Sequence, residues 1–308
     1  MCAPQAQAKV FFAVKRRREH LKYEILQGGY RMELLRVDTA ACIRCGLCLR
    51  ACARDIMVLD EQGYPCLPGE KEKRCTRCGH CASACSEGAI RLLVAAGEDI
   101  IPMKQELKVS FEQAAQLLRS CRSVRRFKDM PVPQQDIEEI LQVARMAPTG
   151  GNNQLVRWIV LKDRKTVSRV ADMVAEWFDA VARHNPKHAA RYAIDNILGR
   201  YRSGQDIILR GAPNAVLTYT TDKAAWGPID SAIGLTYFNL AAHSRGIGSC
   251  WGGYLMRASV EYEPLRKFLG IEPETSVQGA MVFGYSDIAY HAIPVRNPLQ
   301  VRWLGSAE

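Results

Sequence analysis

Eight cysteines between residues 42 and 85 fall into two runs of one spacing. The first is Cys42-x-x-Cys45-x-x-Cys48-x-x-x-Cys52, and the second is Cys75-x-x-Cys78-x-x-Cys81-x-x-x-Cys85. Paired C-x-x-C units can form a zinc ribbon, but that site takes four thiolates in one tetrahedron. Here there are eight, with a third x-x step and an x-x-x step in both copies. A disulfide framework suits small secreted chains. This chain has no apolar signal segment, so its thiols are expected to stay reduced in the cytoplasm. Neither reading accounts for the doubled spacing.

The doubled run resembles the bacterial two-cluster ferredoxins, in which three thiolates of one run and the fourth of the other hold each 4Fe–4S cubane. The resemblance implies one cluster on Cys42, Cys45, Cys48 and Cys85, and another on Cys75, Cys78, Cys81 and Cys52. Where those ferredoxins carry proline after the fourth cysteine, this chain has Ala53 and Ser86. The ligand set is intact, so altered loop stiffness is expected, with both clusters kept. We place this domain at residues 32–96, with short strands at 34–37, 56–59 and 90–94. A domain so small has little apolar core, and the clusters are expected to supply much of its folding free energy.

The net charge of +10 raises the question of nucleic acid. Its distribution argues against that partner. Residues 1–31 hold seven Lys or Arg against two Glu, whereas 32–96 hold nine basic and eight acidic residues. The remainder has no basic stripe interleaved with aromatics. Residues 1–31 also show little periodicity and are expected to be a disordered extension. Gln27-Gly28-Gly29 can be encoded with a ribosome-binding sequence, so Met32 is the expected natural start. Lys15-Arg16-Arg17-Arg18 lacks the apolar segment of an export signal. No run is apolar for long enough to span a bilayer.

Residues 97–109 read as a short linker. From 110 the pattern changes to that of a larger α+β domain reaching 308. Ser110-Phe111-Glu112-Gln113 is a capping box opening a helix that runs out at Ser120-Cys121. A second helix follows Pro133 and is stopped by Pro148. Residues 158–161 read as a buried strand, 165–182 and 188–202 as helices, and 215–219 and 277–283 as strands. Residues 229–244 form a long apolar helix with small residues, suited to a core or a dimer seam. Strands and helices alternate loosely, which predicts a mixed sheet flanked by helices. There is no G-x-G-x-x-G after a strand and no Walker A sequence.

Three stretches of this second domain carry a resemblance. They are Cys121-Arg122-Ser123-Val124-Arg125-Arg126-Phe127, Ala147-Pro148-Thr149-Gly150-Gly151-Asn152-Asn153-Gln154, and Gly246-Ile247-Gly248-Ser249-Cys250-Trp251-Gly252-Gly253. Together they resemble the nitroreductase family of FMN-dependent homodimers. The family shows an Arg-Arg-Ser-x-Arg-x-Phe opening, an Ala-Pro-Ser-x-x-Asn-x-Gln loop and a Gly-Leu-Gly-Ser/Thr-Cys turn. The resemblance implies FMN at a homodimer interface, held by Arg122, Ser123, Arg125, Asn152, Gln154, Gly248, Ser249 and Arg296. Arginine binds phosphate in a bidentate fork, and a cation beside the flavin pyrimidine edge tunes its potential; Arg125 is the candidate for that edge. The family's first Arg is Cys121 here, and the proline after its Gln is Leu155. Residues 171–205 with Trp226 are expected to cover the flavin, and Trp177, Phe178, Tyr192, Tyr201 and Trp226 are candidates for stacking, against the commoner role of such aromatics in a core. Cys250 reads as a packing residue.

The two resemblances together imply an oxidoreductase of an anaerobe's cytoplasm. Electrons from the two 4Fe–4S clusters would reach FMN and pass to an organic acceptor, a nitroaromatic or a quinone. A reduced ferredoxin or flavodoxin, or NAD(P)H, is the implied donor. No catalytic acid or base is assigned, because the flavin carries the hard step. Two alternatives stand beside this: another flavin reaction on the same fold, such as reductive dehalogenation, and an electron-transfer or redox-sensing module with no dedicated substrate.

Overall fold

A computed structural model describes residues 34–92 and 100–305. The expected extension 1–31 and part of the linker lie outside the described residues. The chain divides into two compact units, with the boundary between Gln105 and Glu106.

The first unit is built as a repeat. Strands β1 (Leu35–Val37) and β4 (Ile90–Leu92) pair antiparallel, and so do β2 (Val58–Leu59) and β3 (Pro65–Cys66). The strand before the first cysteine run therefore pairs with the strand after the second. One-turn helices α1 (Leu47–Arg50) and α2 (His80–Ser83) carry the third cysteine of each run, Cys48 and Cys81. The backbone repeats as well: Arg44, Gly46 and Asp55 have positive φ, and so do Arg77, Gly79 and Gly88 at matching distances from the first cysteine of each run. Each glycine opens its helix in the left-handed conformation that a side chain resists. The apolar core is small: Leu35, Val37, Met57, Ala82 and Ile90 with Cys48, and Cys42, Cys52, Cys81 and Cys85 pack against it together with Leu49, Leu67 and Leu92.

The second unit centres on a four-stranded sheet, β5 (Arg157–Leu161), β6 (Asn214–Thr221), β8 (Thr275–Tyr285) and β7 (Ile247–Trp251), in that spatial order. All three ladders are antiparallel. The sheet is mixed only through one parallel bridge, Ser123 to Ser249, on the outer side of β7. Residues 121–127 thus run along the edge of the sheet and re-enter it at Phe127, opposite Ser286.

Helix α8 (Gly227–Ser244) packs one face of the sheet. Leu235, Phe238 and Ala242 join Val216, Met281 and Phe283 there, with α4 (Gln134–Ala144) behind them. Phe238 and Phe283 meet edge to face at 5.2 Å. The other face carries α5 (Arg164–His184), α6 (Pro186–Arg191), α7 (Ile194–Arg202), α9 (Gly253–Glu261) and α10 (Glu263–Phe268). Helix α3 (Phe111–Ser120) opens with the expected capping box: Ser110 Oγ accepts from the Gln113 N–H, and Gln113 Oε1 accepts from the Ser110 N–H at 2.9 Å. No described helix is long and apolar enough to cross a membrane.

Several expectations need correction. Strand β5 is an edge strand and only half-buried, apart from Leu161. The helix expected over 188–202 breaks at Ala193, which sits at φ 50°. The turn expected after α8 is strand β7. Trp177 and Phe178 do not cover a site: both are buried in the core, stacked on each other, with Tyr254 edge-on to Phe178.

Candidate functional site

In the first unit, one small cavity is lined by Cys42, Cys45, Cys48 and Cys85, with Leu59, Pro65 and Ile90 among its walls. Three of these thiols belong to the first run and one to the second. The antiparallel pairing of β1 with β4 is what delivers Cys85 to the first run. Burial pushes the Cys48 thiol above its ordinary range, and the neighbouring thiols that add to the effect are Cys42 and Cys85. Burial pushes Cys81 up to about 11, with Cys75, Cys78 and Cys52 adding to it. Cys85 of the second run thus stands with thiols of the first, and Cys52 of the first run lies near Cys81 of the second.

Cys78 differs from these. Burial raises it, but hydrogen bonds from His80 and Thr76 outweigh burial and bring it below its ordinary value. Two more sulfurs accept backbone donors, Cys75 from Arg77 and Cys85 from Ala89, at 3.4 and 3.3 Å. No three His, Cys, Asp or Glu among the described residues are placed to hold a metal ion.

In the second unit, the residues named from the sequence lie in two groups along α8. The first is the edge segment. The Val124 N–H donates to the Ser249 carbonyl at 2.9 Å. Val124 points inward and is buried, so its extended neighbours Ser123 and Arg125 point outward and are exposed. Arg125 turns back to donate to the Ser123 carbonyl at 3.3 Å. Arg122 donates to the Arg119 carbonyl at 2.6 Å, while its Nε is buried with no partner. Gly248 lies directly under Val124: a Cβ there would stand 2.3 Å from Val124 Cγ2. Its glycine is explained by this close packing.

Ser249 is only 3% exposed, and its hydroxyl donates inward to Asn239 Oδ1 at 2.6 Å. Asn239 also takes the Cys121 thiol at 3.6 Å. His243, one turn on, meets the Ser120 hydroxyl at 2.9 Å; burial first, and Arg122 second, hold its imidazole below the usual range. Asn239 and His243 were not singled out from the sequence, where each reads as an ordinary residue of an apolar helix.

The second group lies at the other end of α8. In the loop after α4, Gly151, Asn152 and Gln154 all have positive φ, at 62°, 57° and 50°. The left-handed conformation costs of order 1–3 kcal/mol at a non-glycine residue and persists only where the surroundings hold it. Here Thr149 holds it: its Oγ1 accepts from the Gln154 N–H at 3.0 Å and its carbonyl from the Asn152 N–H at 3.0 Å. The Gln154 side chain is exposed and Asn152 is half-buried. Arg296 belongs to neither group; it lies in the exposed C-terminal stretch, with no hydrogen bond or ion pair among the described residues.

The profile of the nitroreductase family matches residues 118–285, more than half of the chain. The chain belongs to the nitroreductase family, and it is an oxidoreductase. A putative NADH dehydrogenase/NAD(P)H nitroreductase of Archaeoglobus fulgidus is 26% identical over 179 residues, which cover 56% of this chain and 86% of that protein. An iodotyrosine deiodinase of Thermotoga neapolitana is 24% identical over 187 residues, 61% of this chain and 95% of its own. Among solved structures, a nitroreductase with bound FMN from Bacteroides fragilis shares the fold with a TM-score of 0.51, at 22% identity, covering 64% of this chain and 99% of that one. The matched stretch of the family profile begins after the first unit.

Proposed function

We propose that this protein is a reductase with two 4Fe–4S clusters and FMN, passing electrons to an organic acceptor. The observation that carries the first half is the cavity lined by Cys42, Cys45, Cys48 and Cys85. A zinc ribbon or unpaired thiols would give no reason for Cys85 to stand with the first run. Cys52 with Cys75, Cys78 and Cys81 would hold the second cluster.

The second half rests on the family and on the fit of the residues. The buried Arg122 Nε lacks an acceptor, and a phosphate oxygen is the acceptor guanidinium groups pair with best. Ser123 and Arg125 are exposed beside it. Asn152 and Gln154 offer amides from a loop held in one conformation. Gly248 and Ser249 contribute through the backbone, holding Val124 and so the edge segment in place. FMN, when bound, supplies the exchange between one-electron and two-electron chemistry, and the cubanes supply one-electron relay. Arg296 is the remaining phosphate candidate.

The same layout supports a homodimer. Asp230 and His243 mark the two groups on α8, 13 residues or about 20 Å apart at 1.5 Å per residue. A twofold seam along α8 would set the Asn152–Gln154 loop of one protomer beside the Arg122 end of its partner. The exposure of Ile229, Tyr237, Leu118 and Met146, and of Val295, Leu299 and Trp303 in the C-terminal stretch, supports such a seam. The FMN bound in the Bacteroides fragilis relative supports the cofactor. The acceptor we favour is a nitroaromatic or a quinone. The deiodinase relative favours a second reading, reductive removal of halogen from an aromatic ring.

The test is anaerobic turnover with a reduced ferredoxin, a flavodoxin or NAD(P)H as donor, against nitroaromatics, quinones and a halogenated tyrosine. Turnover of at least one acceptor is expected. Flavin that is reduced but reoxidised by none of them would leave an electron carrier. Arg125→Ala is expected to weaken FMN binding about 10- to 100-fold, the worth of one hydrogen-bonded charge; unchanged flavin retention would remove Arg125 from the site.

A further inference from the structure

Asp230 is buried, 6% exposed, in the first turn of α8. No ion pair reaches it among the described residues. Burying an acidic side chain without a cation is costly, and the helix N-terminus offsets only part of that cost. Its one described side-chain hydrogen bond leads out of the helix: Oδ1 accepts from the Gly150 N–H at 3.0 Å. Gly150 is pinned from a second side. A Cβ there would stand 2.5 Å from Trp226 Cδ1, so Gly150 packs closely against Trp226. The left-handed residues follow at once, at 151, 152 and 154.

We infer that Asp230 is a positioning residue: through the Gly150 N–H it sets the strained loop from which Asn152 and Gln154 reach the cofactor. The contact spans 80 residues of sequence, and it joins the loop to the helix whose Asn239 and His243 touch Cys121 and Ser120 beside Arg122. The bond holds the start of the loop, while the Thr149 bonds only close the loop on itself. The inference rests on the proposed FMN site.

Three variants test it: Asp230→Asn, Asp230→Glu and Asp230→Ala. Asn keeps an oxygen in place for the Gly150 N–H. Glu keeps the acid but moves the oxygen by one methylene. The first readout is hydrogen–deuterium exchange of the 149–155 peptide in protein freed of FMN. Exchange there is expected to speed up tenfold or more in Asp230→Glu and Asp230→Ala and to stay near parental in Asp230→Asn. The second is FMN affinity with the flavin absorption spectrum: Glu and Ala are expected to lose at least tenfold and to shift the visible band, and Asn to restore both. If Ala does not fold, the contrast of Asn with Glu decides. Parental exchange and spectrum in Asp230→Glu would overturn the inference, as would an Asn variant as impaired as Glu. A parent protein that binds no FMN would instead overturn the proposed site, and this inference with it.

Discussion

The double variant Cys42→Ala/Cys85→Ala is expected to keep about half the iron of the parent, whereas Cys42→Ala/Cys52→Ala is expected to keep almost none. The difference follows from which thiols share a cavity. Cys42 and Cys85 line the same one, so removing both strikes one cluster of four irons. In the proposed ligation Cys52 serves the second cluster with Cys75, Cys78 and Cys81, so removing it with Cys42 strikes both. About eight irons per chain would fall to about four in the first case. If each run held its own cluster, the two outcomes would be exchanged. Iron and sulfide analysis under argon separates them. Each variant is also expected to lose thermal stability in the first unit, because its apolar core is a handful of side chains packed around the cysteines themselves.

Gly248→Ala is expected to have the largest effect in the second unit for a change of one methyl group. The added Cβ would meet Val124 Cγ2 at 2.3 Å and Val124 Cβ at 2.8 Å. Rotating the valine moves only the first of these, so one backbone must shift. Both are held: Gly248 pairs with Gly284 inside the sheet, and the Val124 N–H is bonded to Ser249. Overpacking of this kind costs about 1–3 kcal/mol, or roughly 2–10 °C in melting temperature for a unit of this size. The displaced segment carries Ser123 and Arg125, so FMN affinity is expected to fall as well. Adding Val124→Ala is expected to recover part of both losses, less than additively. Independent, additive losses would mean that the two residues do not press on each other.

Signals that are local in the chain were legible in the sequence. Ser110 and Gln113 cap α3 as their spacing requires, and the cysteine repeat is one that the backbone also obeys. Strand β7 was not legible: Gly246 just before it and Gly248 inside it argue against a strand. The reason for Gly248 lies elsewhere, in Val124 above it and in the pairing with Gly284. Trp177 and Phe178 have the period of a helix face but nothing in the sequence says which way the face turns, and it turns inward. Ser249 sits in a family motif, yet its hydroxyl serves Asn239. Asp230 was missed because an acid in a first helical turn is ordinary; only the fold shows it reaching Gly150. Ala193 breaks a helix with no proline or glycine to announce it.

Protein purified without oxygen and assayed for iron, acid-labile sulfide and flavin tests the central claim most directly. The account predicts brown protein with about eight irons, about eight sulfides and about one FMN per chain. Colourless protein, or protein carrying zinc and no flavin, would contradict it.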